Sequence, residues 1–205
     1  MAAQEIVFLV EEPSMEEFLR AWLPRALPAG CRYRIHAHRG KDDLLKKLAA
    51  RLQAFAAWKG IDRRIIVIVD RDDSQCAELK EKLESAAEGA GLTSRRRLGK
   101  GRWNFASRIA IEELEAWYFG DWQAVCAAYP RVSATVPEKA PYRDPDAIAG
   151  GTWEAFERVL KGAGYFKTGL RKLEAARAIG NHVEAGRSRS GSFRCLASAV
   201  EEAVG

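Results

Sequence analysis

Two short segments of the chain are almost entirely apolar, and each runs directly into acidic residues. EIVFLV, at residues 5–10, precedes two glutamates, and IIVIV, at residues 65–69, precedes three aspartates within four positions. Uninterrupted apolar runs of this length, rich in β-branched residues, are typical of strands that are covered on both faces. The pattern therefore predicts two buried strands whose carboxyl ends carry negative charge.

Helical spacing of the apolar residues alternates with these strands in the first half of the chain. Ser14 with Glu17 has the form of a capping box, which predicts that a helix begins near Met15. Further helices are predicted at residues 41–58 and 74–90. CRYRIHAH, at residues 31–38, alternates between apolar and polar side chains, as an edge strand does. Strands that alternate with helices in this way indicate an α/β fold with a mostly parallel sheet.

The second half of the chain reads as one more strand followed by helices. We expect a short strand at residues 107–111 and one helix at residues 112–129. Four prolines between residues 130 and 151 predict a long loop that wraps the domain, and residues from 152 onward predict short helices. The expected organisation is one α/β domain at residues 1–129, with residues 130–205 as a wrapping loop and helical C-terminal extension packed on it.

Composition narrows the class of protein without identifying it. The 205 residues carry a formal net charge of +5, which is compatible with a nucleic-acid partner but does not demonstrate one. The four cysteines are scattered without metal-site spacing, as expected in a reducing cytoplasm. No apolar run is long enough for a membrane span, and the acidic N-terminal segment does not have the pattern of a signal peptide. The P-loop motif is also missing from the sequence, so the chain is not itself a P-loop ATPase.

The acidic residues that follow the two apolar runs are the strongest functional signal. Ligands of open parallel sheets bind at the carboxyl ends of the strands, where these carboxylates would crowd together if the strands are neighbours. A hard divalent cation such as Mg²⁺ relieves that crowding, and an extended Asp70-x-Asp72 would present both side chains to one ion. The alternative is structural: acidic residues at strand ends also begin loops, and Asp73 or Ser74 can cap the next helix.

These motifs resemble the Toprim fold, which topoisomerases, bacterial primases and OLD-type nucleases share. That family has a glutamate after its first strand, in a pattern like V-E-G-x-x-[DE], and a D-x-D after a later strand. The counterparts are VEEPSME at residues 10–16 and VDRDD at residues 69–73. One departure is that Glu12 stands where the family has glycine, which leaves open whether Glu11 or Glu12 faces the site.

The resemblance implies metal-dependent phosphoryl transfer, and a nuclease is the role expected here. Asp70 and Asp72 would hold Mg²⁺ (or Mn²⁺), with Asp73 in the same ligand set. Glu11 would serve as a general acid/base or as a further ligand, because such metals activate water and stabilise charge on phosphorus.

A narrower resemblance is to an uncharacterised Toprim-like family of small bacterial proteins. IEELEAWYFGD at residues 111–121, and the later segments GYFKTG and SRSGSF, are similar to features of that family. Its members are often encoded beside ABC/AAA-type ATPases in mobile or defence loci, which implies a possible ATPase partner and a role in phage defence.

Further acidic and basic residues extend the predicted site. Glu12, Glu112 and Glu115 are candidate outer acidic residues, although the latter two also suit a solvated first helical turn. The segment SRRRLGKGRW, residues 94–103 and below called the arginine segment, mixes cations with an aromatic residue. It predicts either a nucleic-acid track leading to the carboxylates or a solvated loop. The candidate nucleic-acid-binding residues are Arg95, Arg96, Arg97, Lys100, Arg102 and Lys167. Lys167, with Arg171 and Lys172, would reach a phosphate or form an ordinary basic helix face.

Two other functions remain open at this point. The same acidic pattern suits a receiver-like phosphoacceptor, in which Asp70 is phosphorylated in the presence of Mg²⁺. The chain is alternatively a non-catalytic Toprim-shaped subunit that binds an ATPase partner. Metal-dependent cleavage that is lost in Asp70→Asn would separate the enzyme from the binding subunit, and phosphorylation of Asp70 by a small phosphodonor would favour the receiver.

Overall fold

A four-stranded, entirely parallel sheet forms the centre of the molecule. The computed structural model describes residues 3–58, 60–72, 74–98 and 101–205. The strand order is β2-β1-β3-β4. The strands are β1 (Glu5–Val10), β2 (Arg32–Ala37), β3 (Arg63–Asp70) and β4 (Phe105–Ala110). The predicted α/β class is therefore confirmed.

Burial along the strands follows the sequence pattern. Every residue of β1 and β3 is buried, since both strands are central and helices cover both faces. In β2 only Ile35 is buried, so the alternating segment is an edge strand as predicted. The fourth strand begins two residues earlier than expected and is also fully buried.

Helices cover both faces of the sheet. They are α1 (Pro13–Ala26), α2 (Lys41–Ala57), α3 (Cys76–Gly89), α4 (Arg95–Leu98), α5 (Leu114–Gly120), α6 (Trp122–Ala128), α7 (Thr152–Gly162), α8 (Lys172–Gly180) and α9 (Gly191–Val204). The apolar stripes of α2 and α3 pack on one face of the sheet. Helix α1 and the helices after β4 share a larger, aromatic-rich core on the other face.

Several helix boundaries differ from the sequence prediction, and α3 begins at Cys76 rather than at residue 74. Helix α1 begins at Pro13 rather than near Met15, and Ser14 donates a hydrogen bond to Glu12 instead of capping the helix. The helix expected at residues 112–129 is two helices that meet at Asp121. Asp121 is buried and accepts hydrogen bonds from the backbone N–H of Glu184 and from Arg187. Contacts with a distant segment thus fix the break.

The C-terminal half of the chain packs on one face of the sheet. Residues 130–151 contain three short 3-10 turns, and α7, α8 and α9 follow. Their apolar side chains, such as Phe156, Ile179 and Phe193, belong to the same core as Phe8 of β1. No helix in the described part of the chain is both long and apolar enough to cross a membrane.

Candidate functional site at the carboxyl edge of the sheet

Glu11 and Asp70 lie side by side because their strands are neighbours. Strands β1 and β3 pair in parallel with Val10 opposite Ile68, which places the acidic residues after each strand at the same edge. The Glu11 Oε2 accepts a hydrogen bond from the backbone N–H of Asp70 at 3.0 Å. The expectation that these two residues come from adjacent strands is confirmed.

Asp70 lies among several other acidic residues at this edge. Its side chain is buried, and its Oδ1 has no hydrogen-bond partner. Burial, followed by the negative charges of Glu11, Glu12, Glu115 and Asp72, raises the pKa of Asp70 well above its usual range. We refer to these five residues as the carboxylate cluster.

Glu115 enters the cluster from α5, which follows β4. It is buried, and its Oε2 has no hydrogen-bond partner. Burial raises the pKa of Glu115 to about 7; Lys172 opposes this shift and Glu113 adds to it. Tyr118, one helical turn later, is also buried, its hydroxyl is without a partner, and burial and the nearby carboxylates raise its pKa. Helix α5 therefore contributes a buried carboxyl group and a buried hydroxyl group, each with an oxygen that has no hydrogen-bond partner.

Lys172, at the start of α8, brings a cation to the cluster. Burial acts to lower its pKa, but the charges of Glu115, Glu12, Glu113 and Asp70 outweigh burial and raise it. The sequence suggests a phosphate contact or a basic helix face here, but not the proximity of Lys172 to the acids, because that proximity depends on how α8 folds back. The approach of Lys172 to the acids thus depends on tertiary contacts, which no local sequence pattern reveals.

Glu113 has a structural role beside the cluster. Its Oε2 accepts hydrogen bonds from the Thr152 hydroxyl at 2.8 Å and from the backbone N–H of Trp153 at 3.0 Å. A carboxylate at the amino end of α7 satisfies groups that the helix leaves free. Glu113 thereby fixes α7 next to the carboxylate cluster.

Asp72 does not continue an extended strand, which corrects the expectation that it points to the same side as Asp70. The chain turns at Asp72, whose φ is +45°, and β3 ends at Asp70. The Asp72 carboxylate is about half exposed and forms an ion pair with Lys41 Nζ at 2.7 Å. Its charge still raises the pKa of both Asp70 and Glu11, so it remains part of the cluster.

The other predicted acidic residues differ in what they contact. Glu112 forms an ion pair with Arg71, and its carbonyl accepts from the backbone N–H of Arg71 at 2.9 Å. Its charge is therefore largely neutralised. Glu12 accepts from Ser14, and its charge acts on Asp70 and Glu115, so both glutamates after β1 contribute to the site. Asp73 lies outside the described residues.

The donor set suits a hard divalent cation better than zinc. In residues 3–58, 60–72, 74–98 and 101–205, no three His, Cys, Asp or Glu side chains form a ready-made metal site. Mg²⁺, however, keeps several waters and needs only one or two carboxylates from the protein. The partnerless oxygens of Asp70 and Glu115 and the all-oxygen cluster fit Mg²⁺ or Mn²⁺.

The arginine segment lies at the opposite edge of the sheet, which corrects its expected course toward the carboxylates. Ser94 bridges to Phe105, the first residue of β4, and Asn104 bonds to Thr93 and Ile65. These are amino ends of strands, separated from the carboxyl edge by a strand of six residues, or roughly 20 Å. Residues 95–98 form one helical turn rather than an open loop.

The arginines of this segment contact acidic side chains of the protein itself. Arg95 contacts Glu202, Arg97 contacts both Glu81 and Glu88, and Arg102 contacts Asp62. Arg96 lies 3.6 Å from Glu81. Lys100 is outside the described residues, and Lys167 is exposed in the turn before α8. Each of the four arginines of the arginine segment is thus close to an acidic side chain of the protein itself.

Comparisons with known proteins give a family but no activity. The family model described as "Domain of unknown function (DUF4276)" matches residues 10–201, so the chain belongs to this family. No curated protein matches the chain. Among solved structures, it is similar to the C-terminal region of the Burkholderia pseudomallei OLD protein, with 15% identity and a TM-score of 0.49 over the whole of both chains.

Proposed function

We propose that this member of the DUF4276 family is a metal-dependent phosphoryl-transfer enzyme, and specifically a nuclease that acts on DNA or RNA. The observation that carries the proposal is the carboxylate cluster. Its central acid, Asp70, is buried with one oxygen free of hydrogen bonds. Crowded carboxylates that the fold leaves largely uncompensated are costly, and perturbed acids of this kind concentrate at functional sites.

In this proposal the residues of the cluster have different roles. Asp70 and Glu11 would hold Mg²⁺ or Mn²⁺, with the Glu11 orientation fixed by its hydrogen bond from the Asp70 N–H. Such a metal, when bound, activates water and stabilises charge on phosphorus. Glu115 would carry the proton, since its pKa of about 7 suits a group that takes up and releases protons at neutral pH. Lys172 would contact a phosphate oxygen beside these acids.

The decisive test is the substitution Asp70→Asn, which keeps the shape of the side chain and removes its charge. Labelled single- and double-stranded DNA and RNA are incubated with pure protein in Mg²⁺, Mn²⁺ or EDTA. We expect cleavage by the parent only with metal, and a loss on the order of a thousandfold in the variant. Asp43→Asn, which removes an acid paired with Lys47 on the surface of α2, is the control and should cut normally.

The same variant separates the proposed nuclease from the other functions. A parent that cuts none of these substrates with either metal, or an Asp70→Asn variant that cuts as well as the parent, contradicts the proposal. Incorporation of phosphate at Asp70 from a small phosphodonor would instead identify a receiver-like protein. Binding of an ATPase partner without any cleavage would identify a non-catalytic subunit.

A further inference from the structure

A surface groove beside the C-terminal end of α7 is lined by cations. The cavity measures about 410 Å³ and takes Arg131, Lys139 and Arg158 from three separate segments. Ser133 and Tyr142 add hydroxyl groups to its wall, and no acidic residue of the described chain lines it. We call Arg131, Lys139 and Arg158 the basic groove.

The positive charge of the basic groove is not compensated as that of the arginine segment is. None of its three cations forms an ion pair with a carboxylate of the described residues, whereas Arg95 and Arg97 each contact one or more. Uncompensated cations in a concave surface concentrate the positive potential there and attract polyanions. The groove is therefore a better match to a phosphate backbone than the segment with more arginines.

A row of stacked aromatic and cationic side chains leads from the groove toward the carboxyl edge. The Arg131 guanidinium lies 4.1 Å from the centre of the Tyr165 ring. Tyr129 packs edge-on against Tyr165, at 4.9 Å between ring centres, and against Phe166 at 5.6 Å. Arg171 in turn lies over Phe166, with 5.1 Å to the ring centre. Tyr129 and Phe166 are buried and support the row from inside, whereas Arg131 and Arg171 are exposed and Tyr165 is partly exposed.

The row ends at the carboxylate cluster. Lys172 follows Arg171 directly, and its Nζ lies 5.5 Å from the centre of the Trp153 ring. The backbone N–H of Trp153 donates to Glu113, two residues before Glu115, so this contact brings the last cation of the row next to the carboxylate cluster. Cations along such a path would offset the repulsion between acidic residues and a phosphate backbone.

We propose that the basic groove, continued by this row, binds the backbone of a single-stranded nucleic acid and directs it to the carboxylate cluster. The inference deepens the proposed nuclease function and rests on it for the identity of the ligand. It also replaces the arginine segment as the binding track. Phosphate contacts supply affinity without sequence preference, and the partly exposed rings of Tyr165 and Trp153 suit the stacking of unpaired bases.

The test compares two double variants that each remove two positive charges. Lys139→Ala with Arg158→Ala removes groove cations that are exposed, and Arg96→Ala with Arg97→Ala removes exposed cations that are already paired with acids. Binding of a fluorescent single-stranded 20-mer, as DNA and as RNA, is measured in EDTA over a series of salt concentrations. Melting temperatures verify that both variants are folded.

We expect the groove variant to bind on the order of tenfold more weakly near 0.1 M salt. The slope of log K against log salt should fall by about 1.4, because each lost phosphate contact on a single strand removes roughly 0.7 of a released counterion. The paired-arginine variant should bind like the parent. Equal binding by parent and groove variant, a larger loss in the paired-arginine variant, or no binding by the parent overturns the inference.

Because EDTA removes divalent metal, this measurement is independent of catalysis. A salt-dependent loss in the groove variant without any cleavage by the parent in Mg²⁺ or Mn²⁺ would support the track and contradict the nuclease. Metal-dependent cleavage by the parent, together with unchanged binding in the groove variant, would support the nuclease and contradict the track.

Discussion

The two ends of strands β1 and β3 carry the same kinds of charged residues in opposite electrostatic arrangements. At the amino ends, the buried Glu5 lies between Arg63 and Arg34, with both nitrogen–oxygen distances at 2.7 Å. At the carboxyl ends, Asp70 is buried beside further acids, with one oxygen unpartnered. The same pair of strands therefore has one compensated and one uncompensated edge.

The direction of each pKa shift reports this difference. Burial acts to raise the pKa of Glu5, but hydrogen bonds and charge from Arg63 and Arg34 outweigh it, and the pKa is lowered. For Asp70 burial and like charges act together, and the pKa is raised. Charge at the amino edge stabilises the fold, whereas charge at the carboxyl edge opposes folding. Retention of such a costly cluster is what a functional site predicts.

The largest stability effect should come from removing the acid of the compensated edge. Glu5→Gln leaves Arg63 buried without its carboxylate, which is expected to cost about 3 kcal/mol of unfolding free energy. The melting temperature should fall by roughly 6–12 °C for a chain of this size. Thermal and urea unfolding at pH 7 measure both quantities.

Glu16→Gln is the matched control for this substitution. Glu16 forms an ion pair with Arg20 on the surface of α1, and its loss should cost less than about 1 kcal/mol. Because the pKa of Glu5 is lowered in the fold, its contribution is present above pH 4.5 and is lost as the pH falls through the folded-state pKa. Equal effects of the two substitutions would show that the amino edge is not compensated as described.

At the uncompensated edge, removing an acid should stabilise the protein. The pKa of Glu115 rises from 4.5 to about 7 on folding, so its stability contribution is present below pH 4.5 and is lost as the pH rises to about 7. Glu115→Gln abolishes that loss. The free energy of unfolding of the variant should exceed that of the parent by up to about 3 kcal/mol at pH 8, with little difference at pH 4.5.

Urea unfolding of parent and variant at both pH values, in EDTA, measures this difference. Glu174→Gln, which changes an exposed glutamate near Arg171 in the same helix as Lys172, should show no such pH dependence. A Glu115→Gln variant that is less stable than the parent at pH 8 would mean that Lys172 already compensates the cluster. The carboxyl edge would then be electrostatically compensated, like the amino edge.

The sequence predicted what depends on short-range pattern. The apolar runs of β1 and β3 have few alternatives to a strand covered on both faces, and their acidic ends followed directly. Strands β1 and β3 are neighbours because β2 lies on the outer side of β1. The acidic ends of β1 and β3 therefore meet, and Glu11 accepts its hydrogen bond from the Asp70 N–H.

What the sequence did not predict depends on partners far along the chain. The arginine segment resembles a binding track when its sequence is considered alone. In the fold, however, Arg95 pairs with Glu202, which lies 107 positions away. Lys172 reached the carboxylate cluster through the packing of α8, and no local pattern encodes that approach. Asp72 departs from the extended path, and its carboxylate pairs with Lys41 of α2, which lies 31 positions away in the sequence.

The smallest expected effect concerns the ion pair between Lys41 and Asp72. It tests whether Asp72 takes part in metal binding at the uncompensated edge. Lys41 Nζ contacts the Asp72 carboxylate at 2.7 Å and the Arg71 carbonyl at 3.0 Å, so it competes with a cation for Asp72 while holding the turn. Lys41→Gln keeps a donor for the carbonyl and removes the charge. If Asp72 helps to hold Mg²⁺, the variant should bind Mg²⁺ about two- to fivefold more tightly, a gain of roughly 0.5–1 kcal/mol. Titration calorimetry with Mg²⁺ measures the change, and Lys47→Gln, which removes an equal charge from an exposed pair with Asp43, should leave the affinity unaltered. Weaker Mg²⁺ binding in Lys41→Gln would mean that Lys41 positions the turn for the metal rather than competing with it.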